Sequence, residues 1–151
     1  MQYRLASRDD IELLVFERLK FIEINEKDND YLTVKENCYT YFESAFANGS
    51  CDVVLADDNG KCVGTGIIFY YNSVPSAFNV TGKNAYVTSM YVEPEYRRRG
   101  IGMTILNKLL ETAERKGYAI IMLHASEMGM PMYRKAGFTE SKSGMILDRR
   151  K

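Results

Sequence analysis

Three arginines and two glycines, Arg97-Arg98-Arg99-Gly100-Ile101-Gly102, stand between a segment of strand character and one with helical periodicity. A turn that opens into a helix leaves its first backbone N–H groups without partners and puts the positive end of the helix dipole at the same place. Guanidiniums beside it, and glycines that let the backbone come close, make a site suited to a polyanion such as a pyrophosphate. By itself the arginine run equally describes a solvated basic turn or a nucleic-acid contact. The other residues whose types could do chemistry are the carboxylates Glu23, Glu26, Asp28, Asp30 and Glu93, the single histidine His124, and the three cysteines Cys38, Cys51 and Cys62.

The elements around the arginine turn are marked by periodicity and by breakers. Residues 85–92 read as a strand that Pro94 stops. Ile101, Ile105, Leu106, Leu109, Leu110 and Ala113 then recur at helical spacing up to the stop signal Gly117. Residues 119–123 are too short and too β-branched for a helix and are expected to be a fully buried strand, with His124 a structural residue at its end. Residues 128–135 suggest a short helix with Pro131 in its first turn, and residues 138–148 two antiparallel strands turning at Lys142-Ser143-Gly144.

Upstream, a short strand near Tyr3 precedes a helix capped at Ser7 and carrying Ile11, Leu14, Val15, Leu19 and Ile22. An acidic loop over residues 23–30 separates it from a second helix over 33–47. Asp57-Asp58-Asn59-Gly60 is a strong hairpin signal between strands at 53–56 and 62–71, and residues 72–83 form a long loop. The resulting order is β-α-α-β-β-β-α-β-α-β-β. It predicts an α/β fold with α+β-like layers, in which a central, mixed but mostly antiparallel sheet is flanked by about four helices. One parallel pair is expected, joined by the crossover helix.

The totals narrow the class. A chain of 151 residues is expected to form one domain, 1–151, and at that size buries roughly 70% of its unfolded surface. Lys plus Arg equals Asp plus Glu at 20 each, so no global field draws in nucleic acid or an anionic membrane, and any basic site is local. Three cysteines without Cys-x-x-Cys spacing argue against a zinc site or a disulfide framework and read as small apolar residues in a reducing compartment. No run approaches the apolar length of a membrane span and the N-terminus lacks an apolar leader core, so a cytoplasmic protein is expected.

The spacing Arg97-x-x-Gly100-x-Gly102, following Met90-Tyr91-Val92-Glu93-Pro94, resembles the acyl-CoA-binding motif of the GCN5-related N-acetyltransferases, written Q/R-x-x-G-x-G/A. Met132-Tyr133-Arg134-Lys135-Ala136-Gly137-Phe138 resembles that family's second signature, Leu-Tyr-x-x-x-Gly-Phe. The two signatures span residues 84–140 in the family's order. The resemblance implies the acyl-CoA N-acyltransferase fold, acetyl-CoA as cofactor, and transfer of its acetyl group to a primary amine of a small molecule or a polypeptide by direct attack. A non-catalytic acyl-CoA-binding or regulatory module of the same fold is the alternative.

The resemblance also implies roles for residues. Met90, Tyr91 and Val92 would be the bulged stretch of strand that lies along the pantetheine arm and turns a backbone N–H toward the thioester carbonyl. Arg97, Arg98, Arg99, Gly100, Ile101 and Gly102 would surround the pyrophosphate, with Met103 and Thr104 extending the helix start. Ser126 occupies the position of an asparagine that bonds the pantetheine, and Tyr133 that of the general acid for the departing thiolate. A tyrosine, with an ordinary pKa of about 10, holds its proton at neutral pH, as that role requires; as a bare aromatic it reads as core.

An ammonium acceptor with pKa of about 10.4 would need roughly 4 to 5 kcal/mol to reach its neutral form at pH 7, so a site of this kind has to help remove a proton. Glu93 adjoins the key strand, and the resemblance implies that the loop carrying Glu23 and Glu26 borders the acceptor site; the base stays open among these carboxylates, and the acidic loop favours a cationic acceptor. No metal and no nucleic acid or membrane partner is expected, and the C-terminal strands could pair across a homodimer.

Overall fold

The computed structural model describes residues 1–141 and 143–150. In chain order the elements are β1 (Gln2–Leu5), α1 (Ile11–Phe21), α2 (Tyr31–Asn48), β2 (Cys51–Asp58), β3 (Lys61–Asn72), β4 (Lys83–Val92), α3 (Ile101–Arg115), β5 (Ile120–Met122) and α4 (Met130–Lys135). The strands form one sheet in the order β1-β2-β3-β4-β5, antiparallel throughout except for the parallel pair β4 and β5. That pair is the one joined through α3, as the expected crossover requires.

Both faces of the sheet are covered, which is why the middle of β2, Val53-Val54-Leu55-Ala56, is an unbroken apolar run rather than alternating. Val54 and Ala56 point into a core shared with Ile105, Leu106 and Leu109 of α3. Val53 and Leu55 point the other way, into a core with Leu14 and Val15 of α1 and Phe42 of α2. Helix α3 lies very close to β3: a Cβ added at Gly66 would come within 2.6 Å of Ile105 Cγ2 and of Met90 Sδ. The β2–β3 turn has positive φ at both Asn59 (52°) and Gly60 (83°), the hairpin geometry that matches strand twist.

The entry to α1 is tied to the sheet by ion pairs. Ser7 and Asp10 form a reciprocal cap, and Arg4 of β1 donates from Nη1 and Nη2 to the two Asp10 oxygens at 2.8 Å each and from Nε to Asp57 at 3.0 Å. The Arg4 hydrogen bonds hold the Asp10 carboxyl down at about 2, against an ordinary value near 3.9. A carboxyl depressed in the folded state adds stability above its unfolded pKa, and that stability is lost as pH falls through its folded one. Acid unfolding should therefore show a loss of stability between about pH 4 and pH 2 that an Asp10→Asn variant lacks, measured as denaturation midpoints across that range.

Three expectations are corrected. The strand after α3 is not fully buried: it is three residues long, and Met122 is 43% exposed, because β5 is the sheet's edge. The two C-terminal strands are not formed among the described residues. Residues 139–141 and 143–150 have no strand pairing, and Met145, Ile146 and Leu147 are 100%, 90% and 75% exposed; Lys142, expected in their turn, lies outside the described residues. His124 is not a buried structural residue either. It is exposed, past the end of β5, and its Nδ1 meets the Tyr86 hydroxyl of β4.

Candidate active site

Strand β4 does not run straight. Thr65 of β3 pairs with Tyr91 and Ile67 with Thr88, so Gly66 alone faces Ser89 and Met90, a β-bulge with Ser89 in the left-handed region at φ 52°. The bulge separates the side chains that follow. Met90 packs on the α3 side over Gly66, whereas Ser89 turns toward α1 and accepts a 2.6 Å hydrogen bond from Arg18 Nη1. Periodicity alone did not point to Ser89; the disrupted alternation of Ser89-Met90-Tyr91 was the only local signal.

On its other edge β4 pairs with β5 only over Asn84–Tyr86 against Ile120–Met122. Beyond Tyr86 the two strands part, leaving the backbone of β4 from Val87 to Val92 without a strand partner on that side among the described residues. An extended chain with amide groups fits such an edge by adding one more strand.

At the end of β4, residues Pro94–Tyr96 make one turn of 3-10 helix and the chain enters α3. Gly100 takes φ +79°, and a Cβ there would meet no protein atom within 4 Å, so within the chain itself it is the backbone angle that favours glycine. Thr104 is the first residue of α3 whose N–H reaches a carbonyl, that of Gly100 at 3.0 Å. The N–H groups of Ile101, Gly102 and Met103 come before it, and no side chain caps them. The arginines brace the turn: Arg97 Nε donates to the Val92 carbonyl at 2.8 Å and Arg99 Nη2 to that of Glu95 at 2.8 Å. Arg98, at φ 61°, is exposed. The turn thus carries backbone N–H groups with no partner among the described residues, the positive end of a helix and exposed arginines on one short stretch of chain.

Helix α4 carries Tyr133 across from that turn. Met132 packs near α3, its Sδ 3.2 Å from where a Gly102 Cβ would stand, and Tyr133 is 8% exposed, in edge contact with Phe138 at 6.0 Å. Burial raises the Tyr133 pKa, so the phenol holds its proton more firmly than a free tyrosine. Ser126 is exposed, and its hydroxyl accepts the Gly129 N–H at 3.2 Å, closing the turn before α4.

The carboxylates considered as bases are placed differently from one another. Glu93 turns back to α1, where Lys20 Nζ donates to it at 2.5 Å and the Tyr91 hydroxyl at 3.2 Å; the Lys20 hydrogen bond holds its carboxyl below the ordinary range. A carboxylate so engaged is a poor proton acceptor. Lys20 is also paired with Glu17 at 2.9 Å. The acidic loop lies elsewhere: Glu23, Glu26, Asp28 and Asp30 are exposed, and none lines the cavity beside the bulge. That cavity, about 320 Å³, lies between α1, α2 and the β3–β4 face, with Arg18, Tyr41, Phe42, Phe69 and Ser89 in its wall.

A sheet that splays beside a bulged strand, with a phosphate-type turn at the strand's end, defines a coenzyme A-dependent acyltransferase architecture. The family model for "Acetyltransferase (GNAT) family" matches residues 17–138, and the chain belongs to that family. It is 33% identical over 85 residues to thialysine N-epsilon-acetyltransferase of Sus scrofa, covering 54% of this chain and 47% of that protein. It is 33% identical over 63 residues to glucosamine 6-phosphate N-acetyltransferase of Trypanosoma brucei brucei, covering 42% and 43%. The chain thus spans about half the length of the curated relatives it matches. Among solved structures, a predicted acetyltransferase from Clostridium acetobutylicum with acetyl-CoA superposes with TM-score 0.88 at 30% identity, covering 97% of this chain and 95% of that one.

Proposed function

We propose that residues 1–151 form one acetyltransferase domain that transfers the acetyl group of acetyl-CoA to a primary amine by direct attack, with Tyr133 as general acid. The observation that carries this reading is the open edge of β4 between its bulge and the uncapped start of α3. When bound there, acetyl-CoA supplies an activated acyl carbonyl and a thiol leaving group. The N–H groups of Ile101, Gly102 and Met103 bind the pyrophosphate, Arg97, Arg98 and Arg99 neutralise it, and Thr104 holds the first helical turn through its 3.0 Å bond to Gly100. The backbone of Met90, Tyr91 and Val92 pairs with the pantetheine amides, Ser126 bonds the arm near α4, and a bulge N–H stabilises charge on the acyl oxygen. Tyr133 holds the proton that the departing sulfur needs.

The named relatives act on thialysine and on glucosamine 6-phosphate, and a small-molecule amine is accordingly the acceptor class we favour over a polypeptide. Release of free thiol from acetyl-CoA, measured against a panel of amines, tests the activity. Thiol release that follows amine structure is expected; binding of acetyl-CoA without release for any amine would reject catalysis in favour of a binding module.

We also propose a cytoplasmic protein that associates as a homodimer. Among the described residues no helix is long and apolar enough to cross a membrane. The exposed Met145-Ile146-Leu147 segment and the outer edge of β5, unpaired among the described residues, are complementary in kind, since an apolar segment that becomes extended gains both burial and hydrogen bonds on a sheet edge. Sedimentation should give twice the monomer mass, and an Ile146→Asp variant the monomer.

A further inference from the structure

The cavity beside the β4 bulge carries a charge that the catalytic reading leaves unused. Its wall is mostly apolar, from Tyr41 and Phe42 of α2 and Ile67 and Phe69 of β3, and its one charged group is Arg18 of α1. The other ionisable groups in the wall are neutral at physiological pH: burial pushes Tyr41 up to about 12 and raises the Cys38 thiol. Arg18 donates Nη1 to Ser89 Oγ at 2.6 Å and lies over the Phe21 ring at 5.6 Å. It forms no ion pair with any described carboxylate, although Glu17 directly precedes it on α1 and Glu93 follows the end of β4. Both of those are held by Lys20, two residues along α1, at 2.9 and 2.5 Å.

A guanidinium has five N–H donors in a planar fork. One is given to Ser89, the others have no partner among the described residues, and Arg18 lines a half-enclosed slot in which solvation is poorer than in bulk water. Such a group favours an incoming oxyanion, which it grips bidentately. A second ammonium on a polyamine would instead be repelled, since the wall offers no carboxylate. The cavity's volume, about 320 Å³, suits a small organic molecule.

Resting on the acetyltransferase reading, we infer that the acceptor is a small amine carrying its own carboxylate or phosphate-type acid, which docks on Arg18, with an apolar body against Phe42 and Phe69. Position fixes the spacing. Arg18 is bonded to the bulge residue itself, so the acid is held beside the acyl-binding strand. The amine therefore stands only a few bonds from the acid, as in an α-amino acid, rather than at the end of a long chain.

The test compares leucine and phenylalanine with leucinamide, phenylalaninamide, the aminoalkyl phosphonate of matched side chain, and a diamine. Acetylation is followed by thiol release on the unmodified chain, so the comparison does not depend on a variant folding. Losing one charge-assisted bidentate contact should lower kcat/KM about 10- to 100-fold from acid to amide. Arg18→Gln should abolish that preference while leaving acetyl-CoA binding, measured by calorimetry, unchanged, and Arg18→Lys should keep part of it. The carboxylate and phosphonate arms identify which oxyacid is preferred.

Amides or the diamine turning over as well as the acids, or an acid preference indifferent to Arg18→Gln, would overturn the inference and leave the acetyltransferase reading standing. If no amine is acetylated, calorimetry of leucine and of the phosphonate against the CoA-loaded protein decides. Binding lost in Arg18→Gln sustains the Arg18 site, and no binding overturns it. Failure of acetyl-CoA itself to bind counts against the acetyltransferase reading instead, and the same titrations on the free protein then decide for Arg18.

Discussion

A Tyr133→Phe variant is expected to lose turnover by about 10²- to 10⁴-fold, the range for removal of a positioned general acid, with acetyl-CoA affinity unchanged. The expectation rests on where the hydroxyl is and is not needed. The ring is 8% exposed and packs against Phe138, contacts that phenylalanine keeps, so the core around α4 loses no volume. The hydroxyl makes no hydrogen bond with a described residue, and no buried side-chain oxygen among them lacks a partner, so it reaches the surface rather than serving the core. Removing it deletes a proton donor and little else. Single-turnover kinetics with a good acceptor, beside a calorimetric titration of acetyl-CoA, separates the two quantities. Turnover equal to that of the unmodified chain would reject the acid role, and a fall in affinity without a fall in single-turnover rate would assign the hydroxyl to binding.

The second large effect is expected at Gly100. Gly100→Val should weaken acetyl-CoA binding about 10- to 100-fold while shifting the thermal midpoint little, because an L-residue at positive φ costs roughly 1–2 kcal/mol and valine's branched Cβ adds to it. A local escape from φ +79° would reorient the N–H groups of Ile101 and Gly102, the donors proposed for the pyrophosphate. The site is exposed and a Cβ there meets no atom within 4 Å, so the core does not feel the change. A Gly100→Asn variant distinguishes two causes. Asparagine tolerates the left-handed region, so it should retain most of the affinity if backbone angle is what glycine supplies. It should be as damaging as valine if the phosphates need the space itself. Calorimetric titration of both variants with acetyl-CoA, with unfolding midpoints alongside, settles the choice.

The sequence alone determined the features that local chemistry encodes. The switch from strand to helical periodicity around Pro94 and Gly100 placed the turn and the start of α3, and the order of elements implied the single parallel pair. The spacing Arg97-x-x-Gly100-x-Gly102 and the segment Tyr133-x-x-x-Gly137-Phe138 carried the family, since both are short-range patterns in which each residue is read against near neighbours.

Contacts distant in sequence were decided only by the tertiary structure. No local pattern assigns Lys20 to Glu93 or Arg18 to Ser89, residues more than seventy positions apart. Yet that division of partners sets which cation of α1 is neutralised and which faces the cavity. The resemblance implied a bulge at Met90–Val92, but its place at Ser89-Met90 was hidden because a bulge is a mismatch between two strands, visible only once Gly66 is seen opposite two residues. The exposure of Met122 and of Met145-Ile146-Leu147 was hidden for the same reason. An apolar, β-branched run looks alike in the middle of a sheet, at its edge or free of it, and only the presence or absence of a neighbouring strand tells them apart.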